Sequence, residues 1–550
     1  MDTRREAWSG ATEGRSTPRH ARRLLTTLAR AVSHIPGSGE VLAAVIAHDP
    51  AQMLPLALDA ARSGHGEIDR ATAAAVTDAD LSHTDIEQLL QSVGPDSTAL
   101  PHTGIALARA LLDTADTEAE HAQSQVRLGH RLTLLGEQDE AAEVLGDAVA
   151  RLANLAVSDP DSHTAGLAHA TLALGQLDLK MGRYADAAEV LSACTTALLT
   201  LVHDGQGPYL ADLATARAGK GAALFKIRQW TEAVEELEAA AGILHDLMPF
   251  NPALHGAQLA HALADLAVCR GEGMAQWPQA AESAEQAAEL LSGVTYLHPG
   301  EHASALAASL TNLGATLGKT DRQIEAVDCH RKAVALLRDL VSAQLLEHEA
   351  ELARALGNLG NSLLKVDEVN EAADVLAEAV EKWRTVQVAD PVLRTAGLAT
   401  SLACHGTCLC EAGLTEKGAQ ELREAVSHFR DLAAERPEKY ETELAKVLLN
   451  LGNCLSEQPG SEAVVFLEES ADLWRGVAAQ GAEGDLYELA KTLRALGLQR
   501  LRAKDEQHGL VALEEALAVI RQLADLAPDI YLVQLVKSEE ALRRYRGGGD

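Results

Sequence analysis

Four side chains of this 550-residue chain sit close enough in sequence to suggest metal or redox chemistry: Cys404, His405, Cys408 and Cys410. Thiolate and imidazole are soft ligands, and Cys404 and Cys408 lie one helical turn apart, on one face of a helix. Zinc, however, needs four ligands converging on one point. Cys454 is equivalent to Cys408 at a distance of 46 residues, which marks a repeated structural position. The cysteines are therefore read as small fillers of a core or groove, with a metal or redox site as the alternative. The string Gly314-Ala-Thr-Leu-Gly318-Lys319-Thr320 resembles a phosphate loop. It is one residue short between its glycines and ends a helical pattern instead of following a strand. Ala218-Gly219-Lys220-Gly221 lacks the leading glycine and the Ser or Thr of that motif. No Ser/His/Asp set or nucleophile elbow stands out among the 21 scattered histidines. Acidic pairs such as Glu235-Glu236 and Glu514-Glu515 read as solvated helix surface. The expectation is a chain that is not an enzyme and uses no cofactor and no metal.

The elements that carry these residues follow from a spacing. Leu128-Gly129, Leu174-Gly175, Leu313-Gly314, Leu359-Gly360, Leu451-Gly452 and Leu496-Gly497 lie 46 residues apart, or a multiple of 46 give or take one. Gly221, Ala267 and Gly406 fill the gaps, making nine units. Such a period marks a stacked array in which each unit buries its apolar face against its neighbours. Twelve residues after the first small residue comes a second: Ala141, Ala187, Ala233, Ala326, Ala372, Gly418 and Gly509, with Ala280 and Ala463 off by one. Seven further on stands a third: Ala148, Cys194, Ala240, Ala287, Ala333, Ala379, Ala425, Ser470 and Ala516. Small residues at this spacing let two helices approach closely. Fifteen residues before the first small residue stand Pro160, Pro252, Pro299, Pro391 and Pro437, and Asp159, Asn251 and Asp390 precede three of them. An Asp or Asn cap with proline at the first helical position starts a helix. Helix boundaries are expected to recur every 46 residues from about residue 114.

The bulk properties restrict the partners. Apolar residues make up 47% of the chain and aromatic residues only 3%, which suits close-packed helices. The 80 acidic and 47 basic residues leave a formal charge of -33, so nucleic acid and anionic membrane are excluded as main partners. A basic or neutral protein surface fits better. Seven cysteines in a chain this long, with no apolar leader run, read as a reduced, cytoplasmic protein. A composition rich in Ala, Leu, Gly and Arg points to a high-GC bacterial source.

The three small residues at gaps of twelve and seven resemble the tetratricopeptide repeat signature. The usual period of that family is about 34 residues, so each helix here is longer by roughly one and a half turns. Such long-helix arrays are similar to those of bacterial signalling proteins. The resemblance implies an all-α, right-handed superhelical solenoid of antiparallel helix pairs whose first helices line a concave groove. It also implies that the residues two and six before the first small residue face that groove. The first of these positions reads Asp265, Asn312, Asn358, Cys404, Asn450 and Ala495; the second reads Arg354, Lys446 and Lys491. Residues four apart share a helix face, so Arg354 stands beside Asn358 and Lys446 beside Asn450. Asn361 and Asn453 follow the small residue itself. Asn amides can bond an extended peptide backbone, and a cation can hold a carboxylate. Asn312, Arg354, Asn358, Asn361, Lys446, Asn450, Asn453 and Lys491 are the candidate site. Thr400 and Cys404 interrupt it.

The organisation expected is a disordered tail over 1–20, an N-terminal helical cap over 21–113, and nine repeats over 114–527. A capping helix over 528–546 and a flexible tail over 547–550 follow. The cap region offers an alternative as a small docking or DNA-binding domain, but its helical patterns lack a basic recognition helix. The function implied is a non-catalytic scaffold or sensor for a protein or peptide ligand, recognised by a free carboxylate or a basic surface. The alternatives are a peptide-responsive regulator, or the sensor half of a signalling nucleotidase or protease system.

Overall fold

Proline cannot donate a backbone N–H, so it costs nothing in the first turn of a helix, and an Asp or Asn before it satisfies a donor that would otherwise be orphaned. The computed structural model shows this arrangement: Asp159 accepts from Ser162 N at 3.4 Å, Asn251 from Leu254 N at 3.3 Å, and Asp390 from Val392 N at 2.8 Å. The structure describes residues 38–61, 66–94, 100–203, 207–297, 299–343, 348–388, 390–457, 462–479 and 483–547, together with 23, 25, 27 and 28. Among these residues there are helices and turns and no strand. The tail expected over 1–20 lies outside them, as does the tail expected over 547–550 apart from Gly547, which ends the last helix.

The chain divides into two units, Met1–Ala275 and Gln276–Asp550. In the first, α1 (Ser38–His48), α2 (Pro50–Ala61), α3 (Gly66–Thr77), α4 (His83–Val93) and α5 (Pro101–Asp113) surround a core of Leu42, Ile46, Leu58, Ile68, Ile86 and Leu107. Helix pairs follow: α6 (Glu118–Leu135) with α7 (Gln138–Ser158), α8 (Pro160–Lys180) with α9 (Tyr184–His203), and α10 (Leu210–Lys226) with α11 (Trp230–Leu247). Helix α12 (Pro252–Val268) runs into a π-turn at Cys269–Gly273. Helix α9 is long and apolar enough to cross a membrane, yet its Leu191, Cys194 and Leu198 are buried against neighbouring helices.

The second unit continues with α13 (Trp277–Leu297), then α14 (Pro299–Leu317) with α15 (Gln323–Ser342), and α16 (Glu349–Lys365) with α17 (Val369–Thr385). It goes on through α18 (Pro391–Glu411) with α19 (Thr415–Glu435), α20 (Pro437–Cys454) with α21 (Glu462–Ala478), and α22 (Glu483–Arg502) with α23 (Glu506–Leu526). It ends on α24 (Pro528–Gly547). Within this unit each helix packs on its neighbours in sequence, and along the series α14, α16, α18, α20 and α22 each also touches the next. In each unit the result is a stack of antiparallel helix pairs.

The small residues do what the spacing requires. A Cβ added to Gly175 would stand 2.5 Å from Leu191 Cγ, and one added to Gly452 would stand 2.5 Å from Leu467 Cγ. Only glycine lets the paired helices approach this closely. The turn between the helices of a pair needs one residue with positive φ, seven or eight positions after the first small residue. Gly136, Gly182 and Gly413 supply it without strain, while Arg228, Ala275, Asp321, Asp367 and Lys504 are forced into it.

Candidate functional site

The first helices of the second unit, α14, α16, α18, α20 and α22, lie side by side, so their exposed stripes share one side of the unit, with the polar groups densest on α16 and α20. On α16 the stripe reads Arg354, Asn358, Asn361 and Lys365, at spacings of four, three and four residues. Helical geometry places these on one face. The same positions on α14 and the turn after it are Ala308, Asn312, Ala315 and Lys319; on α20 they begin Lys446, Asn450 and Asn453. Arg354, Asn361, Asn312, Lys446, Asn453 and Lys491 are exposed, and Asn358 and Asn450 are half-buried.

The eight candidate residues fall into two classes. Three have partners within the chain: Lys446 Nζ lies 2.8 Å from Glu443, Lys491 Nζ lies 2.9 Å from Glu488, and Asn450 Nδ2 donates to Thr407 Oγ1 at 3.2 Å. Lys491 also lies over the Tyr487 ring, 5.7 Å from its centroid. Arg354, Asn358, Asn361, Asn312 and Asn453 have no side-chain partner among the described residues. The unpaired groups therefore concentrate on α14 and α16. Two lysines belong with them that the sequence reading passed over, Lys319 and Lys365, each five residues after the first small residue of its unit. Partial burial, and secondarily the charge of Lys319, holds the Lys365 ammonium below the usual lysine range. Lys319 lies over the Trp277 ring at 5.6 Å. Extending the stripe by one more turn on each helix would have found both.

The opposite side of the unit shows how acidic residues are used. Arginines of each second helix pair with glutamates of the next, 39 or 40 residues on: Arg331–Glu371 at 2.7 Å, Arg338–Glu378 at 2.5 Å, Arg384–Glu424 at 3.1 Å, Arg430–Glu469 at 2.5 Å and Arg475–Glu515 at 2.7 Å. Arg423–Glu462 at 2.9 Å belongs to the same series. The reading of Glu514-Glu515 and Glu235-Glu236 as simple solvated surface is thus corrected. Glu515 closes an inter-helix ion pair, and Glu236, only 16% exposed, accepts from Arg217 at 2.8 Å and Lys220 at 2.9 Å. The physical reason for Glu515 is that neighbouring second helices run side by side, so it faces an arginine remote in sequence; Glu236 instead faces the first helix of its own pair, α10.

The cysteine cluster is dispersed into separate roles. Cys410 of α18 and Cys454 of α20 form a disulfide, with Cα atoms 5.7 Å apart. This overturns the reading of the cysteines as reduced fillers at those two positions. Cys408 and Cys454 are equivalent and point back to the preceding second helix, where Cys408 Sγ donates to the Val369 carbonyl at 3.4 Å. Cys410, two residues on, is rotated by more than half a turn and faces the next first helix, α20, whose Cys454 bonds to it. A Cβ on residue 418 would fall 2.5 Å from Cys410 Sγ, which explains why Gly418 stands where most sister units have alanine. Burial pushes the Cys404 thiol up to about 11, so it is protonated at neutral pH and a poor nucleophile. His405 Nδ1 lies 2.6 Å from Glu421. Among the described residues no three His, Cys, Asp or Glu side chains converge as a metal site.

The phosphate-loop lookalike is the end of α14 and its turn. Its backbone N–H groups are spent internally: Gly318 donates to Gly314 O at 3.0 Å, Lys319 to Thr316 O at 3.0 Å and Thr320 to Leu317 O at 3.0 Å. None remains to cradle an anion.

Comparison with known proteins adds the following. Residues 306–344 and 352–386 match the family model described as tetratricopeptide repeat. No curated protein sequence matches the chain. Among solved structures, the Rap protein complexed with competence and sporulation factor is 14% identical, with 74% of this chain and 99% of that chain covered and a TM-score of 0.43. The apo form of the quorum sensor NprR from B. thuringiensis is 11% identical, with 74% and 100% covered and a TM-score of 0.43. A signal transduction ATPase with numerous domains and a tetratricopeptide repeat sensor, from Pyrococcus horikoshii, is 12% identical, with 94% and 74% covered and a TM-score of 0.43.

Proposed function

The chain carries tetratricopeptide repeats, and from this we propose that its second unit is a non-catalytic docking platform for an extended peptide segment of a protein partner. The segment lies against the exposed face of α14, α16, α18 and α20. One observation carries the reading: Arg354, Asn358 and Asn361 form a single stripe of hydrogen-bonding and cationic groups that no side chain of the described residues satisfies. On the second helices of this unit Arg331, Arg430 and Arg475 are placed in ion pairs across adjacent helices, whereas Arg394 and Arg494 of the first helices, like Arg354, have no ion-pair partner among the described residues. An Asn amide offers a donor and an acceptor to a peptide unit, and a guanidinium offers a forked donor to a carboxylate. Asn312 and Asn453 extend the face on either side, and the Asn450–Thr407 bond holds two neighbouring helices in register beneath it. The helices before residue 114 are, in this reading, the cap of the array and not a second site.

The test compares capture of partners by the wild type with capture by two variants of equal helicity. One carries Arg354→Ala, Asn358→Ala and Asn361→Ala; the other carries Arg338→Ala and Arg430→Ala on the opposite side. A partner kept by the second variant and lost by the first, then reproduced with a synthetic peptide of that partner, supports the platform. A partner kept equally by both removes it.

A further inference from the structure

The bond between Cys410 and Cys454 closes a contact that the sister units close without one. Cys410 stands four residues after the first small residue of its unit, and Cys454 two after that of the next. One unit earlier, on α16 and α18, the same two positions hold Leu364 and Cys408, which pack in one apolar core, with Cys408 a free thiol. The stack therefore does not need a covalent bond at this place. A position for the opened bond also exists. Cys408, the repeat-equivalent of Cys454, donates its S–H to the Val369 carbonyl at the start of α17. Cys454 Sγ lies 3.6 Å from the Thr415 carbonyl, the equivalent atom at the start of α19, so a reduced Cys454 has the same acceptor in front of it. Both bonded cysteines are half-buried while Cys408 is buried, which leaves the bond within reach of a small thiol. The bond holds the end of α20. Helices α16, α18 and α22 each run five residues past their first small residue; α20 stops after two, at Cys454, and tightens into a 3₁₀ turn over Leu455–Glu457. The carbonyls of a last turn lack partners inside the helix, and fraying starts there. The disulfide ties this end to α18, and Arg502 of α22 donates to the Ser456 carbonyl at 3.2 Å.

We propose that Cys410 and Cys454 form a redox switch on the rigidity of this helix end. Closed, the bond pins the end of α20 on α18; open, it releases that end while the stack stays folded. Opening is thiol–disulfide exchange with a small thiol. One small thiolate attacks a sulfur of the bond and forms a mixed disulfide, and the other cysteine leaves as a thiolate and takes up a proton. A second small thiolate attacks the small molecule's own sulfur in that mixed disulfide and releases the remaining cysteine, which is protonated in turn. Two electrons pass to the chain, and two small thiols become one small disulfide; the reverse reaction closes the bond. Asn453 lies in the released turn, beside Cys454, and the Asn450–Thr407 bond that joins the same two helices is one turn earlier. The switch thus reaches the docking face. That consequence rests on the docking reading above; the switch itself does not.

The full chain, equilibrated in mixtures of reduced and oxidised glutathione, tests this with two readings. Thiols counted by alkylation under denaturing quench are expected to be five in the oxidising mixture and seven in the reducing one, with the same native helicity in both. Amide hydrogen exchange over residues 449–457 is expected to be about tenfold faster in the reduced chain, with α14 and α16 unchanged. Cys410→Ser with Cys454→Ser is expected to exchange at the reduced rate in every mixture. Seven thiols in the oxidising mixture overturn the proposal. So does a bond that opens only when the chain unfolds, and so does equal exchange over 449–457 in the two states of the wild type. Neither reading needs a partner, so failure of the switch and failure of the docking face are told apart: the second shows only in the capture experiment with the Arg354, Asn358 and Asn361 variant.

Discussion

His330 is the residue whose chemistry departs furthest from its neighbours. In the sister units its place is held by Leu145, Leu191, Leu237, Leu376, Leu422, Leu467 and Leu513, packed under the small residue of the first helix. The imidazole is 3% exposed, and Nε2 lies 3.2 Å from the Thr311 carbonyl while Nδ1 lies 2.9 Å from the Ser362 hydroxyl. Nε2 therefore carries the proton and Ser362 donates to Nδ1. Burial, with the Thr311 bond opposing and the Lys365 charge adding to it, pulls the group down to about 4 from the usual histidine value of 6.5. The native state binds fewer protons than the unfolded state between those two values. Stability is thus complete above the unfolded value and falls as pH drops through the interval, by on the order of 3 kcal/mol for this group alone. Leucine at this site removes the titration. His330→Leu is expected to raise the urea midpoint at pH about 5 more than at neutral pH, where only loss of the two hydrogen bonds counts. An equal shift at both values would show that the imidazole is not buried neutral.

At the scale of the element, the turn between paired helices decides stability through a single dihedral. Lys504 sits at φ 65° and Arg228 at φ 64°, where sister turns use glycine at 74–93°. A side chain in the left-handed region costs roughly 1 kcal/mol, partly offset because glycine loses more freedom on folding. Lys504→Gly and Arg228→Gly are each expected to stabilise the chain by a few tenths to about 1 kcal/mol in urea unfolding. Lys504→Val, β-branched and unable to take the conformation cheaply, is expected to destabilise it. A loss of stability on both glycine substitutions would show that the two turns draw something from their side chains that outweighs the strain.

For the whole molecule, charge is the dominant variable. The inter-helix arginine–glutamate pairs are half-exposed and worth under about 1 kcal/mol each, so they do not offset a net charge of -33. The excess of acidic groups repels at low ionic strength and is screened within about 10 Å at 0.1 M salt. Thermal unfolding is expected to shift upward by several degrees between low salt and about 0.5 M sodium chloride. A downward shift would mean that the ion pairs outweigh the repulsion. Net charge also hides local charge: an acidic chain still presents Arg354 and Lys365 without an ion-pair partner among the described residues on one face, with Lys319 over the Trp277 ring beside them.

The sequence alone determined the all-α architecture and the helix starts at Pro160, Pro252, Pro391 and Pro437. Periodicity, caps and the crowding of small residues are local properties of one helix and its immediate partner. It also placed Arg354, Asn358 and Asn361 on one helical stripe, for the same reason. Only the tertiary structure decided which of the eight candidate groups are already satisfied, and that Lys319 and Lys365 lie beside each other. It likewise decided that Cys410, not Cys408, meets Cys454 and that the glutamates serve as ion-pair partners. Those outcomes depend on the rotation and offset between helices that are neighbours in space but some 40 residues apart in sequence. A rotation of half a turn reverses which side chain faces a neighbour, and a repeat period does not specify that angle.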